Sequence, residues 1–429
     1  MSTTYAAFFF VVYCDPNRDS QAINGTMVMI SRMHWTPALV LRSHRVLWWL
    51  FVAMALIFSS VSVVLAGPRE QAERIHDRLA GVPPSAAVLD QMTTDISNND
   101  ATGAALLAMQ NPNFYTVTLK NFAAPWTNRD ASVFVPLNDY TTLVIGMVKD
   151  DEPFDQILSG DLLYVGSGVT PAPTASSNAH FEALETQMKQ PGFDPQTQIV
   201  RTTQSGTYGL PPAATAGAIT TRAAAEAFFI AGTNRAMFRF TLINHLCTDL
   251  EQVHDITVVP DKIRQDVSRS PGGDSRVFLN NCIGCHAGMD PMAQAFAYYN
   301  FDDVSGSIQY TPGVVQEKYF HNETTFPDGF VTPDDQWHNY WRQGQNASLG
   351  WSSSLPGEGS GAKSLGQELA ATDAFAQCQV KKVFKAVCLR SPVDAQDRGQ
   401  ITTMATSFRN NNYNLRQVFA QSAVYCMGN

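Results

Sequence analysis

Cys282, Cys285 and His286 stand together in the run Cys282-Ile283-Gly284-Cys285-His286. The pattern C-x-x-C-H sets two thiols three positions apart and an imidazole directly after the second. That arrangement suits covalent attachment of a c-type haem. Each thiol joins one vinyl group, and the histidine lies under the iron as its proximal ligand. A bare C-x-x-C pair would equally suit a redox dithiol or half of a zinc site. The adjacent histidine, and the lack of a second C-x-x-C in the chain, disfavour zinc with its four ligands. The bland alternative is chance placement on a structural loop. The expectation is one covalent haem c, held by Cys282 and Cys285, with His286 on the iron.

The sixth ligand decides between electron transfer and chemistry at the metal. Met289 and Met292 follow His286 too closely to reach the opposite haem face, and are read as packing at the haem edge. His321 and His338 lie in a loop-rich region. His338, within Gln336-Trp337-His338-Asn339-Tyr340-Trp341, is the candidate distal ligand, set against a surface or aromatic-packed role. Met404, on a C-terminal helix, is read as core. Asp290 is expected to accept backbone N–H groups and fix the turn after His286. The His286 Nδ1 proton is expected to meet a backbone carbonyl. Of Arg264, Arg269 and Arg276, one is a candidate partner for a haem propionate; otherwise they are solvated. No catalytic residue is assigned.

Such motifs receive haem outside the cytoplasm, so an export signal is expected. Arg42 and Arg45 precede the apolar run Val46 to Leu65, which ends in Val64-Leu65-Ala66 before Gly67. This reads as a signal peptide with a small-residue cleavage site. The alternative is an uncleaved anchor, since the run approaches bilayer-spanning length. The forty residues before it are long for a signal peptide. Met27, Met29 and Met33 are therefore candidate true starts. Residues 1–66 are set aside from the fold.

The formal net charge of −9 argues against a nucleic-acid surface. It fits an exported protein without a basic patch for anionic lipid. Beyond the motif, the chain after residue 66 holds Cys247, Cys378, Cys388 and Cys426. In an oxidising compartment they favour two disulfides, with three possible pairings. Cys378 and Cys388 share one helix, whose ten residues rise about 15 Å. Disulfide Cα atoms lie within about 7 Å, so that pair is disfavoured and Cys426 is expected to bond one of the two. Free buried thiols are the alternative.

The positioning elements are mainly helical. Residues 67–254 read as an α-rich domain of unassigned role, and 255–429 as a cytochrome c-like haem domain with loop-rich insertions and C-terminal helices. Arg69 to Leu79 is amphipathic and ends at Gly81-Val82-Pro83-Pro84-Ser85. Ser85 caps a helix over Ala86 to Ile96. Asn113 to Leu119 and Leu143 to Val148 fit strand or helix. Pro153 to Asp161 reads as a short helix, Gly166 to Asn178 as loop, and Ala218 to Cys247 has helical spacing. No nucleotide loop or hydrolase elbow occurs in 67–254. Pro271-Gly272-Gly273 breaks the chain, and Asp274 or Ser275 caps a helix over Arg276 to Asn281 that delivers Cys282. Ala293 to Phe301 is a helix candidate, and 304–362 is rich in loops. Helices are expected at Ser364 to Leu389, broken near Asp373, at Asp394 to Phe408 and at Leu415 to Tyr425. If the frame is that of a class I cytochrome c, Phe278 touches one of the last two.

With these elements in place, the chain resembles the planctomycete-type exported cytochrome c proteins. The resemblance is carried by Arg78-Leu79-Ala80-Gly81-Val82-Pro83-Pro84-Ser85, by Asp151 to Asp161 and by Arg222 to Leu246. Its strongest part is Cys282 to Asp302, with Cys-x-x-Cys-His-x-x-x-Asp-Pro and a closing Asn-Phe-Asp. Phe375 to Val380, Leu389-Arg390 and Tyr413-Asn414-Leu415-Arg416 resemble that family's C-terminal helical module. The chain departs from the pattern at Met289 and Met292 and in a Gly- and Ser-rich insertion near 352–361. What the resemblance implies is a single-haem exported protein.

The expected function is a periplasmic or otherwise exported mono-haem cytochrome exchanging electrons with a partner protein or a small substrate. The alternatives are a single-haem oxidoreductase of peroxidase or oxygenase type, and a non-catalytic haem protein for binding or redox sensing. A di-haem peroxidase needs two attachment motifs, and the chain has one. No nucleic-acid partner is expected, and a membrane only if the apolar run is retained.

Overall fold

A computed structural model describes residues 66–428, apart from 231 and 321–324. The apolar run, the cleavage-site reading, the candidate start methionines and His321 therefore lie outside the described residues, save for Ala66 and Gly67. Leu65–Asn429 forms one compact unit. It is mainly helical, with three two-stranded antiparallel sheets among the described residues. Among these residues no helix is long and apolar enough to cross a membrane.

The amphipathic opening forms helix α1 (Pro68–Ala80) and buries Ala72, Ile75 and Leu79 at helical spacing. Gly81 closes it at φ 71°, in the left-handed region that a C-terminal cap needs. Ser85 Oγ accepts from Val88 N and starts α2 (Ala86–Ser97), as its position predicts. Helix α3 (Ala101–Ala108) follows. Asn113 to Leu119 resolves as helical, a widened π turn over Phe114–Leu119. Leu143 to Val148 lies inside α4 (Asp139–Lys149), in which every residue is buried. A helix covered on all sides has no apolar stripe, so its sequence carries no period.

The stretch from Ala218 to Cys247 is several pieces rather than one helix. Arg222–Phe228 ends early, and Asn234 turns back at φ 58° before α5 (Arg235–Thr241). The Asn234 amide donates to the carbonyls of Phe296 and Tyr299, both at 2.9 Å, which locks that turn. Asp274 caps Ser275–Val277 by accepting from Arg276 N at 2.9 Å. The chain then runs through a π turn, Phe278–Cys282, into α6 (Ile283–Ala293). The Cys282–His286 run thus lies within a continuing helical stretch and not on a loop after a helix.

The helix expected at Ala293 to Phe301 is mostly replaced by a hairpin. After a short turn at Gln294–Phe296, β3 (Tyr299–Asp302) pairs with β4 (Ser307–Tyr310). Tyr299 and Phe301 point inward with period two, a strand signal hidden by the alanines before them. Strands β1 (Leu163–Gly166) with β2 (Ile199–Thr202), and β5 (Gln336–His338) with β6 (Glu358–Ser360), form the other hairpins. The closing helices are α7 (Gly361–Ala370), α8 (Asp373–Cys388), α9 (Ala395–Asn410) and α10 (Leu415–Tyr425). The break between α7 and α8 is set by Thr372, whose Oγ1 accepts from Phe375 N.

One hydrophobic core draws on both sides of residue 254. Ile75, Leu143 and Phe238 share it with Phe296, Val383 and Val418. Two disulfides tie it together. Cys247–Cys378 joins the segment that follows α5 to α8, and Cys388–Cys426 joins α8 to the end of α10. Their Cα separations of 5.3 and 5.5 Å lie in the ordinary range. The crossing expected between residues 274–281 and the last helices is not formed. Phe278 packs in a small separate cluster with Ile263, Val267 and Ala287, while α10 packs on α8, α3 and α1.

Candidate haem-attachment site

The end of the π turn and helix α6 together place Cys282, Cys285, His286 and Met289 at i, i+3, i+4 and i+7, which is one helix face. Its back is pressed against other elements. A Cβ on Gly284 would lie 2.6 Å from His254 Nε2, and one on Gly288 would overlap the Trp341 indole nitrogen. Glycine is therefore required at both positions for the close approach. The Gly284 carbonyl also accepts from Asp255 N at 3.0 Å.

Cys282 and Cys285 are free thiols, each half-buried. Cys285 Sγ donates to the Leu250 carbonyl at 3.4 Å. Burial, with the carboxylates of Glu251 and Asp249 and the Cys282 thiol nearby, pushes its pKa up. A thiol held protonated is a poor redox nucleophile. Among the described residues no group of three or more His, Cys, Asp and Glu side chains is arranged to hold a metal ion.

His286 Nδ1 lies 3.2 Å from both carboxylate oxygens of Asp290, one turn further along α6. Asp290 is fully buried. Arg235 Nε donates to its Oδ1 at 2.7 Å and Nη2 to its Oδ2 at 3.0 Å. The backbone N–H of Arg264 donates to Oδ2 at 3.3 Å, and Arg264 Nη2 lies 3.5 Å from Oδ1. Arg235 also grips Asp266, with Nη2 donating to Oδ1 at 2.8 Å. Burial alone would raise the Asp290 pKa, but Arg235, Arg264 and His286 outweigh it and hold the carboxyl well below its usual range. A carboxylate facing Nδ1 fixes the proton there and leaves the Nε2 lone pair for a metal. Among the described residues Nε2 has no hydrogen-bond partner.

These residues fit a covalently held haem. Both thiols are unpaired while the other four described cysteines are bonded to each other. Leu279, one turn before Cys282 on the same face, is 53% exposed and offers an apolar edge. Arg269 stacks between Phe278 and Phe326, at 4.8 and 4.3 Å from their ring centroids. Arg264 is buried beside Asp290, and Arg276 is fully exposed on Asp274. Of the three arginines, Arg269 is partly open to solvent and rests on Phe278, whose cluster Cys282 packs against.

The remaining sequence candidates have partners of their own, although the strand that carries His338 packs on α6. His338 Nδ1 lies 3.2 Å from Glu358 Oε2 across the β5–β6 hairpin, so its polar partner is not the motif. Met289 and Met292 are core residues, as is Met404, whose sulfur accepts from Ser422 Oγ. Two expectations are corrected. The acceptor for His286 Nδ1 is a carboxylate and not a backbone carbonyl, and Asp290 is committed to His286 and two arginines more than to turn N–H groups. The signal for this was His286-x-x-x-Asp290, an i,i+4 pair that only a continuous helix brings together. Arg235 and Asp266 were not singled out, because nothing local links them to the motif.

In comparisons with known proteins, no family model, curated protein or solved structure matched the chain.

Proposed function

We propose that the chain is an exported mono-haem c-type cytochrome, similar to the planctomycete-type proteins, that exchanges single electrons with a partner protein or a small substrate. One observation carries this reading. Cys282 and Cys285 are the two described cysteines left out of disulfides, and they share a helix face with His286. Cys282 and Cys285 would hold the ring, and His286 Nε2 would ligate the iron. A bound haem supplies a one-electron ferric–ferrous couple. The protein's part is to fix His286 through Asp290 and to anchor α6 on the core. Export is supported by the apolar run after Arg45 and by the two disulfides, which persist in oxidising compartments.

The test is a pyridine haemochrome spectrum and the mass of denatured protein produced with export and haem-attachment machinery. One covalent haem is expected, lost when Cys282 and Cys285 are both replaced by Ala. Haem retained in that double variant refutes the assignment. Carbon monoxide added to reduced protein then separates roles. An inert six-coordinate iron supports electron transfer, and rapid binding shifts the reading to a single-haem oxidoreductase.

A further inference from the structure

We infer that Asp290, oriented by Arg235 and Arg264, is the positioning residue for His286 and holds down the reduction potential of the iron that His286 binds. This rests on the haem reading above. The hydrogen bond from His286 Nδ1 sits one helical turn from the motif, at 3.2 Å to each carboxylate oxygen. An acceptor with a full negative charge polarises the Nδ1–H bond more than a carbonyl does. The imidazole then donates more strongly through Nε2 and favours the oxidised metal.

The carboxylate is aimed and not merely adjacent. Arg235 meets both its oxygens, at 2.7 and 3.0 Å, and is itself held by Asp266. Arg264 adds its backbone N–H. Asp290, Asp266, Arg235 and Arg264 carry two charges of each sign, so the ion-pair cluster is balanced. The arginines also draw on the carboxylate's electron density. Arg235 therefore opposes the effect of Asp290 on His286, and the two residues act on the iron with opposite signs. A purely structural role, in which the cluster only ties α5 to α6, predicts no such opposition.

The experiment compares midpoint potentials of haem-loaded full-length protein with those of Asp290→Asn and Arg235→Gln. Asparagine keeps an oxygen for Nδ1 and removes the charge. Asp290→Asn is expected to raise the equilibrium constant for reduction at least tenfold, which is 59 mV for a one-electron couple. Arg235→Gln is expected to lower it. Loaded variants whose potentials stay put, or move in the same direction, overturn the inference. If neither variant loads haem, the 15N resonance of His286 Nδ1 in reduced wild-type protein decides. A shift towards the imidazolate value supports the inference, and the value of a carbonyl-bonded imidazole overturns it. Wild-type protein without covalent haem is a different failure: it removes the haem reading itself, and this inference with it.

Discussion

The indole of Trp341 occupies the space that a side chain at Gly288 would need. Trp341 is fully buried and packs near Phe238 of α5, so it has nowhere to retreat. Gly288→Ala would gain about 1 kcal/mol from helix propensity. Overpacking against a fixed indole costs about 1–3 kcal/mol and wins. Urea denaturation should show net destabilisation; a neutral or stabilised variant would mean that α6 is free to shift.

His286 and His338 are predicted to behave oppositely. His286→Ala should keep covalent haem at Cys282 and Cys285 while moving the Soret and visible bands. His338→Ala should leave the spectrum unchanged, because its ring pairs with Glu358 across the hairpin. A shifted spectrum in His338→Ala would make it the distal ligand after all.

Glu185 gives a pH dependence unrelated to the haem motif. Burial would raise its pKa. The Leu137 N–H, with Lys120 and Lys189, instead brings it down to about 2. Its folded value is depressed, so its contribution is full above the unfolded value near 4.5 and is lost as pH falls towards 2. Glu185→Gln should destabilise the protein at pH 7 by about 1–3 kcal/mol. The loss should shrink as the pH of the denaturation series is lowered through that window. A loss independent of pH would point to packing instead.

Cys388–Cys426 closes a loop with a sequence separation of 38. Replacing both residues with Ser should cost about 2–4 kcal/mol. Calorimetry of oxidised wild type against the variant measures it. Equal transition temperatures would show that α10 is held by packing alone.

The helices with an exposed face and a cap were legible in sequence: α1 by its stripe, α2 by Ser85, α10 by its spacing. The buried α4 was not, because a helix covered on every side has no period to read. The hairpin at β3 and β4 was missed where alanines and aromatics imitate a helix. At the candidate site, the motif alone pointed to Cys282, Cys285 and His286. Its surroundings stayed hidden, since Arg235 and Asp290 are joined only by the packing of α5 on α6. The class I helix crossing failed for a similar reason: Phe278 finds Ile263 and Val267 nearby, and the last helix finds α1 and α3.

The two ends of the folded unit are bonded to each other. Gln71 and Arg74 of α1 donate to the carbonyls of Gly428 and Met427, and α10 packs on α1. Helix α1 therefore cannot complete its packing without residues 415–428. Contacts of such long sequence separation form late and slowly. Helices α1 and α10 thus close the folded unit on itself, and loss of either one would uncover the face the other packs against.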